Sequence, residues 1–149
     1  MIEKLQQIVD MWEQDAKIDV LSIGDNCLNT PLLHSKYIKL LAEYKIIKTN
    51  LTKKLDHMIN LKTRYFKGEL SLEELKALHW KQWQYNKPLK TELEKMINAD
   101  KDVIAINTEI ENVETVIEVI TSILNQIKNR DFQLSNYIKY KMFERGEIV

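Results

Sequence analysis

Apolar residues recur along this chain at helical spacing, broken by only a few polar stretches. Ile2, Leu5, Val9 and Trp12 follow one another by three or four positions, which predicts a short amphipathic helix over residues 2–16. The run Ile23 to Pro31 is rich in turn residues and predicts a break, with Thr30 as N-cap and Pro31 at the first position of the next helix. From there Leu33, Tyr37, Leu40, Tyr44, Ile47, Leu51, Leu55, Met58, Leu61 or Lys62, and Tyr65 continue the three-to-four spacing. They predict one helix of about 35 residues, about 50 Å long at about 1.5 Å per residue, ended by Gly68. Ser71 and Glu74 form a capping box for a short helix through Leu72, Leu75 and Leu78. The stretch His79 to Pro88 has no helical period and carries Trp80, Trp83 and Tyr85. Pro88 is expected to open a further helical stretch ending at Met96 or Ile97.

Beyond Asn98, a candidate N-cap, the pattern becomes strictly regular. Val103, Ile106, Ile110, Val113, Ile117, Ile120, Leu124 and Ile127 alternate steps of three and four, a heptad seam expected to carry self-assembly. Val116 and Ile123 lie beside the seam and Val119 further round. A stripe this wide, with β-branched residues at both seam positions, favours three or more strands over two. Packing against the chain's own 31–66 helix would absorb the same breadth, so both readings stay open. Asn129 to Asp131 predicts an interruption before a last amphipathic segment through Leu134, Ile138 and Met142 or Phe143. The expected fold is all-α: one domain over 1–149, a long helical hairpin or bundle with a heptad-patterned C-terminal helix. Within it, 31–97 holds the long helix plus short helices and 98–146 the C-terminal helices, the latter assigned to oligomerisation.

Composition narrows the class. A chain of 149 residues that is 44% hydrophobic and 30% charged can build one core and is not disordered. Three Gly and two Pro leave little material for phosphate-cradling loops. The lone Cys27 cannot form an internal disulfide, which points to a reducing cytosol. The N-terminus lacks the apolar core of a signal peptide, and no run reaches the roughly 20 apolar residues of a membrane span, so a soluble protein is expected. A net charge of zero hides segregation: residues 1–30 carry −4, 36–67 carry +7, 92–118 carry −6 and 128–145 carry +3. The +7 block can attract phosphates or an acidic surface, or simply solvate a long helix.

No catalytic constellation accompanies these charges. His34, His57 and His79 have no metal-ligand spacing, and the hydrolase, nucleotide-binding and metalloprotease motifs are absent. Asp100 and Asp102 are explained as partners of a helix N-terminal dipole. A non-enzyme without cofactors is expected. What remains is cations interleaved with rings, above all Lys62-Thr63-Arg64-Tyr65-Phe66-Lys67, with Lys36-Tyr37-Lys39 opening the same helix and Tyr137 to Arg145 closing the chain. Single-stranded nucleic acid is held this way, cations following the backbone and rings stacking on bases. Tyr37, Tyr44 and Tyr65 also lie on an apolar stripe, so the cations weigh more than the rings. Lys36, Lys39, Lys54, Lys62, Arg64, Tyr65 and Lys67 form the candidate DNA-binding set.

Several blocks, in order, resemble the UvsY-type recombination mediators of T4-like bacteriophages. They are Ser35-Lys36-Tyr37, then Leu61-Lys62-Thr63-Arg64 with Tyr65 and Phe66, then Ala99-Asp100-Lys101-Asp102-Val103, then Ile127-Lys128-Asn129-Arg130. The correspondence runs from about residue 19 to 146, and the Trp80–Tyr85 segment has no clear counterpart. The resemblance implies a ring-like homo-oligomer, a hexamer or heptamer joined through C-terminal helices. It implies binding of single-stranded DNA and help for a RecA-like recombinase in displacing the single-strand-binding protein, in the cytoplasm of an infected bacterium. Lys62 and Arg64 match the family's DNA-binding pair, and Lys36 a further basic position. A helical self-assembling scaffold that never touches DNA is the competing reading.

Overall fold

A computed structural model of the chain describes residues 2–147 and contains helices α1 (Ile2–Asp15), α2 (Ile23–Phe66), α3 (Leu72–Leu78), α4 (Lys90–Asn98) and α5 (Lys101–Glu144), with a 3-10 turn at Val20–Ser22. No strand occurs among the described residues, as the all-α expectation required, and none of these helices is long and apolar enough to cross a membrane. Two compact units divide the chain, one of Met1–Ile46 with Val113–Val149 and one of Ile47–Asn112.

Two of the expected helix breaks are absent. α2 starts at Ile23, so Thr30 and Pro31 lie inside a 44-residue helix instead of opening it. Side chains hold the early turns: Asn26 Nδ2 donates to the carbonyls of Asp19 and Ser22, each at 3.0 Å, and Thr30 Oγ1 donates to the Asn26 carbonyl. Pro31 removes one backbone donor on an exposed face, where water can serve the orphaned Cys27 carbonyl. α5 likewise runs unbroken through Asn129–Asp131 to Glu144. Arg130, read as part of a break, is only 4% exposed and occupies a core position of the helix. Its guanidinium donates to the Ala16 carbonyl at 3.3 Å and to Asn26 Oδ1 at 3.5 Å.

In the first unit the core positions of α5 are Val113, Val116, Ile120, Ile123, Ile127, Arg130 and Leu134, again in steps of three and four. The buried seam therefore shares Val113, Ile120 and Ile127 with the expected one but turns toward Val116 and Ile123. Ile117 and Leu124 are left half-buried at its edge. Tyr37, Leu41 and Tyr44 of α2 and Ile8 of α1 complete this core. Trp12 meets Tyr37 edge-on at 5.6 Å. Asp15 closes the same corner, accepting from Tyr37 Oη at 2.9 Å and from Lys36 Nζ at 2.6 Å. Burial, then the neighbouring Asp15 carboxylate, push the Tyr37 hydroxyl well above its ordinary pKa, so it stays a donor.

The second unit is built around Phe66, Leu93, Ile97 and Val103, with Leu55, Met58, Ile59 and Trp83 packed against them. Gly68, at φ 70°, ends α2 where expected. The Ser71–Glu74 capping box forms as read: Ser71 Oγ accepts from Glu74 N, and Glu74 Oε2 from Ser71 N. α4 starts one residue beyond Leu89, whose N–H donates to Glu92 Oε2 at 3.2 Å, so Pro88 lies just outside the helix. Asn98 is the last residue of α4 and not a cap. Asp100 caps α5 instead, its Oδ1 accepting from Asp102 N at 2.9 Å and Val103 N at 3.3 Å.

Candidate nucleic-acid interface

The final turns of α2 carry two opposite faces. Leu55, Ile59, Lys62 and Phe66, in steps of four, three and four, face the core of the second unit. Lys53, His57, Asn60, Arg64 and Lys67, in steps of four, three, four and three, form an uninterrupted polar face. All five are exposed except Arg64, which is half-buried; the face carries three cations, with exposed Asp56 at its edge and Glu74 paired to Arg64. Of these, Arg64 and Lys67 were candidates from sequence, whereas Lys53, His57 and Asn60 were not. The missed signal was the polar spacing itself, which mirrors the apolar one.

Lys62 belongs to the other face. It is 7% exposed, and its ammonium lies 3.0 Å from Asp100 Oδ2 and 2.8 Å from Asp102 Oδ2. The same nitrogen stands 4.3 Å from the centre of the Trp80 ring, a cation–π arrangement. Burial alone would lower the pKa of this lysine, but the bonds to Asp102 and Asp100 outweigh it and hold the pKa above its ordinary value. The bond from Lys62 in turn draws the Asp102 carboxyl below its usual range. Asp100 thus caps α5 with one oxygen and binds Lys62 with the other, tying the start of α5 to α2. One lysine here is neutralised by two carboxylates within its own chain.

Arg64 is committed less completely. Its Nη2 donates to Glu74 Oε1 at 2.9 Å and Oε2 at 3.1 Å, leaving the rest of the guanidinium fork for other acceptors. Ser71 N–H, then Arg64, hold the Glu74 pKa below its ordinary value. Of the remaining candidates, Lys39, Lys54 and Lys67 are exposed. Lys36 is exposed but paired with Asp15. Tyr65 is half-buried; its ring packs against Phe66, Trp80 and Trp83, and its hydroxyl donates to the Lys81 carbonyl at 2.6 Å. Among the seam residues, Val103, Ile106, Val113, Ile120 and Ile127 are buried in the chain's own core, and Ile110, Ile117 and Leu124 are half-buried.

The fold and this face define an all-helical protein that presents a basic surface from the flank of a long helix, with Lys53 and Lys67 exposed and Arg64 paired to Glu74. Comparison with known proteins makes the class specific. Residues 11–147 match the family described as recombination, repair and ssDNA binding protein UvsY, and the chain belongs to that family. The recombination protein uvsY of Enterobacteria phage T4 is 23% identical over 146 residues, spanning 97% of this chain and 99% of that protein. Crystal structures of the bacteriophage T4 recombination mediator protein UvsY share the fold. One has a TM-score of 0.78 at 19% identity, covering 94% of this chain and 96% of that one. Another has 0.77 at 20% identity, covering 95% and 98%.

Proposed function

We propose that this protein is a recombination mediator. It binds single-stranded DNA and helps a RecA-like recombinase replace the single-strand-binding protein, in the cytoplasm of a phage-infected bacterium. The family match over residues 11–147 is the observation that carries the reading. The exposed basic face of α2 supports it, because Lys53, Arg64 and Lys67 offer the phosphate contacts such binding needs. In this reading Lys54 extends the contact. Lys62 serves the DNA indirectly, by fixing the helix that carries Arg64 and Lys67.

The chain acts as a homo-oligomer, a ring of six or seven copies. Ile110, Ile117 and Leu124 stay half-buried at intervals of seven. A stripe of this kind suits contact between copies, while Val113, Ile120 and Ile127 serve the chain's own core. Joining several weak cationic faces in one assembly raises avidity by about 10²–10⁴ without any new contact.

The test is recombinase assembly on single strands already coated with single-strand-binding protein, followed by the recombinase's strand-dependent ATP hydrolysis. Addition of this protein should shorten the lag several-fold. An unchanged lag, with DNA binding intact, would remove the mediator role and leave a DNA-binding protein. Absence of DNA binding would leave the self-assembling scaffold.

A further inference from the structure

The segment between α3 and α4 contains Trp80, Trp83 and Tyr85 with Lys81 and Lys87, and Lys90 opens α4. From His79 to Lys90 there is no acidic residue. Two of the chain's three tryptophans lie here, in a stretch with no regular structure of its own.

His79 launches the segment from a left-handed position, φ 57°, where Trp80 N–H returns to the Leu75 carbonyl at 3.0 Å and closes α3. The strap is then pinned to the end of α2. Tyr65 Oη donates to the Lys81 carbonyl, and Trp83 stands edge-on to Phe66 at 4.9 Å. Tyr85 in turn stacks edge-on against Trp83 at 4.9 Å, yet it is 75% exposed. Lys81, Lys87 and Lys90 are exposed as well. An irregular segment would ordinarily be polar at its tip; this one holds a braced ring in water with cations on both sides and no carboxylate between them.

We infer that the 79–90 strap is a base-stacking platform for single-stranded DNA, with Tyr85 receiving a base and Lys81, Lys87 and Lys90 following the phosphates. The inference rests on the single-strand-binding reading above and deepens it. Aromatic faces take any base and cations take the backbone, which gives binding without sequence choice. The platform's rings and lysines belong to a different segment from the residues of the polar face of α2. Tyr65 has a positioning role, since its hydroxyl and ring hold the strap while Tyr85 stays free.

The experiment uses the full chain and two labelled probes of equal length, an oligothymidylate and an abasic phosphodiester strand, followed by fluorescence anisotropy. The wild type should prefer the base-bearing strand. Tyr85→Ala should weaken that strand about 5- to 100-fold and leave the abasic strand unchanged, while Tyr85→Phe restores binding. Replacing Lys81, Lys87 and Lys90 by Gln should weaken both probes and reduce the salt slope by about 2, at about 0.7 per phosphate contact. If Tyr85→Ala binds the oligothymidylate as the wild type does, or loses both probes equally, the platform is overturned and DNA binding stands. If the wild type binds neither probe, the platform and the reading beneath it fall together.

Discussion

Lys62 and Lys67 lie five residues apart on α2, and the molecule uses their charges in opposite ways. Lys62 turns inward, where two aspartates and the Trp80 ring surround its ammonium. Lys67 turns outward on a face shared with Lys53, His57, Asn60 and Arg64. Both residues contribute equally to the +7 block, so a charge count cannot separate them. What separates them is helical register: Lys62 falls in the apolar series Leu55, Ile59, Lys62, Phe66, and Lys67 in the polar one. A cation in an apolar series is expected to have been given partners, because burying it alone would cost several kcal/mol.

The sharpest way to break this contrast is Lys62→Ala. It leaves Asp100 and Asp102 facing each other without a cation and should cost about 3 kcal/mol, near the low end for a broken buried pair because Asp102 still reaches water. Chemical denaturation at neutral pH reads this loss directly. Lys67→Ala, at an exposed site, should change stability by no more than about 0.5 kcal/mol. Equal losses at the two positions would mean that register does not sort them.

The second prediction concerns α5, where the same inward–outward contrast separates Ile120 from Ile117. Ile117→Glu lies at the edge of the core and should cost about 1–2 kcal/mol while dissociating the proposed assembly, as read by light scattering. A folded variant that keeps the wild-type mass would move the contact between copies elsewhere.

The third prediction uses pH. The raised pKa of Lys62 makes its contribution complete below the unfolded lysine value, about 10.4, and lost as pH rises through the folded value. The lowered pKa of Asp102 makes its contribution complete above about 3.9 and lost as pH falls through its folded value. The stability gap between wild type and Lys62→Met should therefore be flat from about pH 5 to about pH 9 and shrink in stronger acid. A gap that changes across neutrality would mean the aspartates are not its source. Arg64→Ala breaks a half-exposed pair with Glu74 and should lower stability far less than Lys62→Ala does in the same denaturation assay.

Much of the architecture could be read before any coordinates. Gly68 and the Ser71–Glu74 box acted where their chemistry said they would, since each satisfies helix-end groups through local bonds alone. The misread places have two causes: a neighbouring side chain stabilised the turns before an apparent start, or a long-range partner reversed a local signal. Thr30-Pro31 looks like a helix start, but Asn26 stabilises the turns before it and carries α2 through. Asn129-Arg130-Asp131 looks like a break until Arg130 finds the Ala16 carbonyl, 114 positions away. Asn98 looks like a cap, yet Asp100 takes the role because it can also hold Lys62. The candidate site divides in the same manner. Lys67, Lys54 and Lys39 were legible as exposed cations of a helix, and Lys62 had already fallen on the apolar series as an alternative to Leu61. Its two acidic partners lie beyond residue 99, and no local pattern could supply them.

The central claim is that single-stranded DNA is held by the outward cations of α2 and not by Lys62. The most direct test measures affinity against salt for the wild type, for Lys53, Arg64 and Lys67 replaced together by Gln, and for Lys62→Met. The triple variant should lose about 2 units of log–log slope, at about 0.7 per phosphate, with its fold intact. Lys62→Met, under conditions where it remains folded, should keep the wild-type slope. The opposite pattern, a slope unchanged in the triple variant and reduced by Lys62→Met, would contradict the account.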